Sequence, residues 1–266
     1  MVQKFSPHIN ADLRLRIIEM ICNSGEGHIP SSFSIVDIIE HLYGSVLNVN
    51  PNNATWSNRD YFILSKGHGA AALFVVLEKY GFLSALDIEN YGTKLGILGG
   101  HPDSTKVPGV EACTGSLGHG MPMAVGIALG LKIQKKENRV YCLVGDGECQ
   151  EGTIWESANI ATNQKLQNLS VIVDWNGSAQ QLMPLENLEA KWEAFGWKTQ
   201  VIDGHDQSSL QESLNKSSMN STGMPQVFIA KTVKGRGVPF LEGHGPWHHK
   251  IPNAIELAEI HKVLSE

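Results

Sequence analysis

Two short apolar runs constrain this chain more than any other feature. Val140-Tyr-Cys-Leu-Val144 and Leu169-Ser-Val-Ile-Val173 carry no charge, and each runs straight into a polar turn. The first is followed by Gly145-Asp-Gly-Glu-Cys-Gln-Glu-Gly152, the second by Asp174-Trp-Asn-Gly-Ser178. Uninterrupted apolar runs of this length, bounded by turn residues, read as strands buried on both faces. Between them, about Ile154 to Asn163 reads as a helix. Strand, helix, strand alternation points to a parallel sheet covered by helices on both sides.

The remaining segments extend the pattern. Helices are expected from about Asn10 to Cys22, with Leu13, Ile17, Met20 and Ile21 at helical spacing, and over Ser34–Tyr43, Ala70–Tyr80 and Met121–Lys132. The Ser24-Gly-Glu-Gly27 stretch ends the first of these. Strands are expected at Tyr61–Leu64, Lys198–Ile202 and Val227–Lys231. Gln207 to Thr222 is polar but places Leu210 and Leu214 at helical spacing, and reads as a surface helix. Asn48–Arg59 reads as loop. Thr93–Gly118 is long, rich in Gly and Pro and without periodicity, a kind of loop that usually serves function. No internal repeat or linker divides the chain, so the expected fold is a single α/β domain spanning residues 1–266, with three layers and a mostly parallel central sheet flanked by helices.

Composition narrows the function. Hydrophobic residues make up 42% and charged residues 18% of the 266 positions, enough for a sizeable core. The net charge of −6 comes without a basic stripe, which argues against nucleic acid. Met1–His8 has no apolar signal stretch, and no run reaches the length of a membrane span. Cys22, Cys113, Cys142 and Cys149 are spaced neither as a zinc knuckle nor as a disulfide framework, and Cys142 reads as a buried thiol. These features together point to a cytoplasmic protein with no membrane partner.

Asp146 and Asn176 carry the chemistry. They stand 30 positions apart, each just after a buried strand. In a parallel sheet those two loops share the edge where open α/β folds bind ligands. A carboxylate and an amide oxygen converging there suit a hard cation such as Mg²⁺ or Ca²⁺ that also holds phosphates. Gly145 and Gly147 are expected to let the backbone approach a diphosphate and to take torsions closed to other residues. The helix after Gly152 would turn its positive N-terminal end to the same region. A plain Gly-Asp-Gly turn is the alternative for Asp146 alone, and the paired Asn176 weighs against it.

The stretch from Gly145-Asp-Gly to Asn176 resembles the thiamine-diphosphate signature. Gly27-His28, Ser65-Lys-Gly-His68-Gly, Gly100-His101-Pro102, Thr114-Gly-Ser-Leu-Gly118 and Trp247-His248 extend the likeness, in order, to the N-terminal domain of transketolases, from roughly Leu13 to Pro252. The resemblance implies a thiamine-diphosphate-binding fold. It implies Mg²⁺, with Ca²⁺ or Mn²⁺ as substitutes, held by Asp146, Asn176 and the carbonyl of Ser178. It implies that His68, Gly115, Leu117, Gly145, Asp146, Gly147, Asn176 and His248 bind the cofactor, and that His28, His101 and His248 are catalytic, surrounding the reactive carbon and the sugar oxygens. Histidine suits a site that must both give and take a proton near neutral pH.

Glu151 has two readings, a family glutamate at a subunit contact or a helix N-terminal charge. The tail histidines His244, His248 and His249 raise a zinc reading, weakened by the lack of a nearby Cys and of helical pair spacing; His249 is expected to face solvent. His119 and Ile29-Pro30 depart from the usual family residues and would lie near the substrate funnel. The chain ends at Glu266 without the pyrimidine-binding domain of full-length relatives, so it resembles the N-terminal subunit of split transketolases. Its expected partner is a C-terminal pyrimidine-domain subunit, in a heterotetramer of two copies each. The expected activity is transfer of a two-carbon ketol unit from a ketose or ketose phosphate to an aldose. Another thiamine-diphosphate enzyme, such as a decarboxylating synthase or a ketoacid dehydrogenase component, and a non-catalytic regulatory subunit are the alternatives.

Overall fold

The computed structural model describes residues 10–181, 183–217 and 223–265. In chain order the elements are α1 (Ala11–Ser24), α2 (Ile29–Phe33), α3 (Val36–His41), β1 (Tyr61–Leu64), α4 (Ala70–Lys79), α5 (Ala85–Glu89), α6 (Gly120–Ile133), β2 (Val140–Gly145), α7 (Gly152–Asn163), β3 (Leu169–Trp175), α8 (Leu188–Ala194), β4 (Lys198–Asp203), α9 (Gln207–Ser217), β5 (Gln226–Lys231) and α10 (Ala254–Ser265).

The five strands form one sheet in the order β1-β2-β3-β5-β4, and every pairing is parallel. β2 and β3 sit inside the sheet, and every residue of β2 is buried. Alternate side chains serve two cores. Tyr141, Leu143, Ile172 and Phe228 join the core built by α1, α3, α4 and α9. Cys142, Val144, Val171, Val173, Val227 and Ile229 join the core beneath α6, α7 and α8. The sheet is therefore the middle of three layers, and its apolar runs are continuous because neither face meets water.

Strand positions agree with the sequence reading to within two residues. The helix expected at Ser34–Tyr43 differs. The chain makes α2 and α3 separately and then a π-type turn over Leu42–Val46. Pro30 suits the first turn of α2, where its missing N–H costs nothing. The break falls at Ser34, whose hydroxyl donates to the Ser31 carbonyl and to Asp174, and at Ile35, whose φ of −120° and ψ of −8° leave the helical region. Ile29–Phe33 is buried throughout, so it shows no polar face from which periodicity could be read.

The polar helix expected to Thr222 is present as Gln207–Ser217, with Leu210 and Leu214 fully buried; residues 218–222 lie outside the described residues. Short α5 and α8 and the terminal α10 have no counterpart in the sequence reading. Thr93–Gly118 holds no helix or strand, yet it is anchored: Arg59 donates to both carboxylate oxygens of Glu111 at 2.6 and 2.7 Å, and Val107 and Val110 are buried. No helix among the described residues is long and apolar enough to cross a membrane.

Ile172, fully buried on the central strand β3, tests this layering. Ile172→Ala is expected to lower unfolding stability by about 2–5 kcal/mol, seen as a reduced urea midpoint at an unchanged slope.

Candidate active site

Parallel strands deliver their following loops to a common edge. β1 is followed by Ser65–Gly69, β2 by Asp146–Glu151, β3 by Asn176–Ala179 and β5 by Thr232–Lys234. These loops enclose a cavity of about 420 Å³ whose lining includes Lys66, His68, Leu117, Gly145, Asp146, Gly147, Glu148, Asn176, Ser178, Lys234 and His248. The sequence-predicted cofactor residues thus converge on the lining, except Gly115, which is not part of it. A Cβ on Gly115, at φ 149°, would come within 2.8 Å of the His101 ring, and a Cβ on Gly67 would meet the Gly115 nitrogen at 2.7 Å.

Asp146 is 2% exposed. Its carboxylate accepts backbone N–H bonds from Gly147 at 2.7 Å and Ala179 at 3.4 Å. Among the described residues it forms no ion pair. Burial and the nearby Asp174 push its pKa up. A buried carboxylate held only by backbone dipoles is a site short of one cation, and that shortfall fits a metal ion. Asn176 lies across from it, its amide NH₂ donating to Asp174 at 2.8 Å and its oxygen accepting from the Ser178 N–H at 3.0 Å. No three His, Cys, Asp or Glu side chains form a metal-holding group among the described residues. The set Asp146, Asn176 and Ser178 is of another kind, with one carboxylate, one amide and one backbone carbonyl.

The torsional reason expected for the two glycines is corrected. Neither Gly145 nor Gly147 has positive φ. A Cβ on Gly147 would meet open space, and one on Gly145 only ordinary contacts at 3.8 Å and beyond. What their lack of a side chain leaves free is cavity volume, not a special torsion.

Three groups escaped the sequence reading. Lys66 and Asp174 form an ion pair, 1% and 0% exposed at their side chains. Burial alone would raise the Asp174 pKa, but the Lys66 ammonium and the Thr232 and Ser34 hydroxyls hold it below the usual carboxylate range. Glu148, 1% exposed, accepts from the Ser65 hydroxyl, the Gly118 N–H at 2.8 Å and the Gly145 N–H at 3.1 Å, clasping three loops together. Burial raises its pKa against those bonds. Lys234 reaches His248 Nδ1 at 3.1 Å. Lys66, Glu148 and Asp174 were visible as charges in or beside apolar strand ends, where burial obliges pairing.

Histidines crowd the mouth. The His28 ring lies 5.6 Å from His68, 5.1 Å from His248 and 4.8 Å from His249. Burial, then repulsion from His248, His249, His101 and Lys234, brings His28 down to about 4. Burial and Lys66 bring His68 down to about 2. Burial and Lys234 also lower His248. His249 is exposed as expected, yet its ring edges His28. His101 is exposed, against Gly115. Ile29 and Pro30 are buried and are not among the residues lining this cavity, although Ser31, next in the chain, is. His119 precedes α6, exposed, with Nδ1 3.1 Å from the Leu117 carbonyl oxygen. Glu151 occupies the N-cap position of α7 without a side-chain capping bond.

A parallel sheet whose edge carries a buried carboxylate with no ion-pair partner among the described residues, beside an amide oxygen and near a group of histidines, defines a cofactor-dependent α/β enzyme domain. Residues 7–265 match the family described as transketolase, thiamine diphosphate binding domain. The chain is 36% identical over 258 residues to an apulose-4-phosphate transketolase subunit of Phocaeicola vulgatus, covering 95% of this chain and 91% of that one. It is 36% identical over 236 residues to the 6-deoxy-6-sulfo-D-fructose transketolase subunit SqwG of a Clostridium species, covering 87% and 86%. It overlays the crystal structure of Campylobacter jejuni transketolase with a TM-score of 0.88 at 31% identity, covering 96% of this chain and 42% of that one. The chain therefore spans about two fifths of that solved transketolase. It belongs to the transketolase family, as a thiamine diphosphate-binding, transketolase-like subunit.

The histidine geometry predicts an acid-sensitive site. Unfolded, His28 titrates near 6.5; folded, near 4. Between these values the unfolded chain holds a proton that the folded chain lacks, so stability is full above about 6.5 and falls as pH drops toward 4. The urea midpoint of the ligand-free protein should decline over that window. His28→Gln should make the decline shallower, and an unaltered slope would show that His28 is not among the groups responsible.

Proposed function

We propose that the chain, as one domain over residues 1–266, is the diphosphate-binding subunit of a split transketolase. The enzyme would move a two-carbon ketol unit from a ketose or ketose phosphate to an aldose acceptor. The observation that carries this reading is the buried Asp146 carboxylate, which lacks a cation partner among the described residues and opens with Asn176 and Ser178 into a cavity under the histidine group. Thiamine diphosphate, when bound, supplies the nucleophilic carbon and the electron sink for the transferred unit.

The chain's own residues do the rest. Asp146, the Asn176 amide oxygen and the Ser178 carbonyl would hold Mg²⁺. The backbone at Gly145 and Gly147, with His68, Gly115, Leu117 and His248, would hold and cover the diphosphate end. His28, His101 and His248 would face the sugar oxygens. Burial lowers the pKa of both His28 and His248, which favours their neutral form. A neutral imidazole offers one N–H donor and one bare nitrogen. It can therefore stabilise oxygen that gains negative charge with one ring and take the hydroxyl proton with another.

A second polypeptide bearing the pyrimidine-binding domain completes this reading, with two copies of each chain in a cytoplasmic enzyme. The relatives named as transketolase subunits support the need for a partner. The sugars in their names, apulose-4-phosphate and 6-deoxy-6-sulfo-D-fructose, support a substrate outside the common sugar phosphates.

The experiment combines the chain with its co-expressed partner, Mg²⁺, thiamine diphosphate and hydroxypyruvate as donor. Two-carbon transfer should require both subunits. Asp146→Ala in the assembled complex should weaken Mg²⁺-dependent cofactor binding by about 2–5 kcal/mol, or roughly 30-fold and more, and abolish transfer. Turnover by the chain alone, or calorimetry showing unaltered cofactor affinity in Asp146→Ala, would overturn the assignment.

A further inference from the structure

We infer that Asp174 is a positioning residue whose buried carboxylate dictates which end of the Asn176 amide faces the cavity. The inference rests on the metal site proposed above, and concerns how this chain prepares it.

The two ends of an amide have nearly the same shape and opposite hydrogen-bonding sense. Something must choose between them if the oxygen is to serve as a ligand. Asn176 is held at both ends. Its NH₂ donates to Asp174 Oδ2 at 2.8 Å, and its Oδ1 accepts from the Ser178 N–H at 3.0 Å. A carboxylate only accepts and a backbone N–H only donates. Turning the amide over would set oxygen against oxygen at one end and two donors against each other at the other. Both contacts therefore favour the same orientation, with a remaining lone pair of Oδ1 available to the cavity that Asn176 lines.

Asp174 is itself immobilised. Its carboxylate is fully buried and also accepts from the Ser34 hydroxyl at 2.9 Å, the Lys66 ammonium and the Thr232 hydroxyl. These donors follow α2, β1 and β5, so three separate segments converge on one side chain. The backbone of the same residue holds the other ligand. The Asp146 N–H donates to the Asp174 carbonyl at 3.1 Å, extending the register that pairs Gly145 with Asp174. One residue thus ties down both residues whose side chains are proposed to meet the metal, the Asp146 backbone through its main chain and the Asn176 amide through its carboxylate.

A carboxylate that merely pinned loops together would look similar in the folded protein, so the test must separate the two roles. Calorimetry on the assembled complex measures thiamine diphosphate affinity with Mg²⁺ and with a chelator, for the wild type, Asp174→Asn, Asn176→Ala and the double variant. Asp174→Asn is expected to lose roughly 10–100-fold of the Mg²⁺-dependent affinity, the usual cost of disturbing a group behind a metal ligand, and to leave the metal-free affinity unaltered. Added to Asn176→Ala, it should cost no more than about twofold further, because the residue it orients is already gone. An equal loss in both backgrounds, or an equal loss with and without Mg²⁺, would overturn the inference. Wild-type affinity in Asn176→Ala would remove the metal site itself and the inference with it. Should Asp174→Asn be too unstable to purify, Thr232→Val runs the same cycle by slackening the other carboxylate oxygen, with a smaller loss that again vanishes in the Asn176→Ala background.

Discussion

Parallel strand direction is the constraint on which everything else depends. With all four pairings parallel, β1, β2, β3 and β5 release their chains at one edge of the sheet. Residues far apart in sequence, from Lys66 to Lys234, then line one cavity without any loop having to cross the molecule. The same arrangement requires both faces to be covered, which is why α6, α7 and α8 bury one side and α1, α3, α4 and α9 the other. Reversing one strand would remove its loop from the site. Site and core are thus consequences of one topological choice.

Within that edge groups of opposite charge preference stand close together. Lys66 and Asp174 neutralise each other out of contact with water. Nearby, the buried Asp146 carboxylate accepts backbone N–H groups. His28, His68 and His248 are all lowered in pKa by burial and by neighbouring positive groups, so ionising them is costly. An anionic ligand would ease that cost, whereas a cation suits the Asp146 side. The cavity is divided into regions of opposite preference, as a ligand combining a metal ion with a phosphate ester requires.

Much of this was legible in the sequence because apolar runs and glycine-flanked polar residues are local signals. β2 and β3 declared themselves by length and by the absence of charge, and Asp146 and Asn176 by standing at their ends. The histidines could be chosen as a group only through resemblance, since each alone looks like a surface residue. What stayed hidden depends on three-dimensional pairing. Nothing local marks Lys66 as the partner of Asp174, 108 residues away, or Glu148 as the acceptor for loops on either side. The split of α2 from α3 was hidden because total burial erases helical periodicity. The torsional role expected of Gly145 and Gly147 failed for a related reason: a glycine chosen for the space it leaves and one chosen for positive φ look identical in sequence.

Asp146 and Asn176 sharing one cation at the sheet edge is the central claim. Crystals of the assembled complex grown with thiamine diphosphate and Mn²⁺ in place of Mg²⁺ would test it by anomalous scattering. The expected result is a single strong peak in contact with an Asp146 carboxylate oxygen, the Asn176 amide oxygen and the Ser178 carbonyl, adjoining density for the diphosphate. Cofactor density without a peak there, or a peak held by the rim histidines instead, would contradict it.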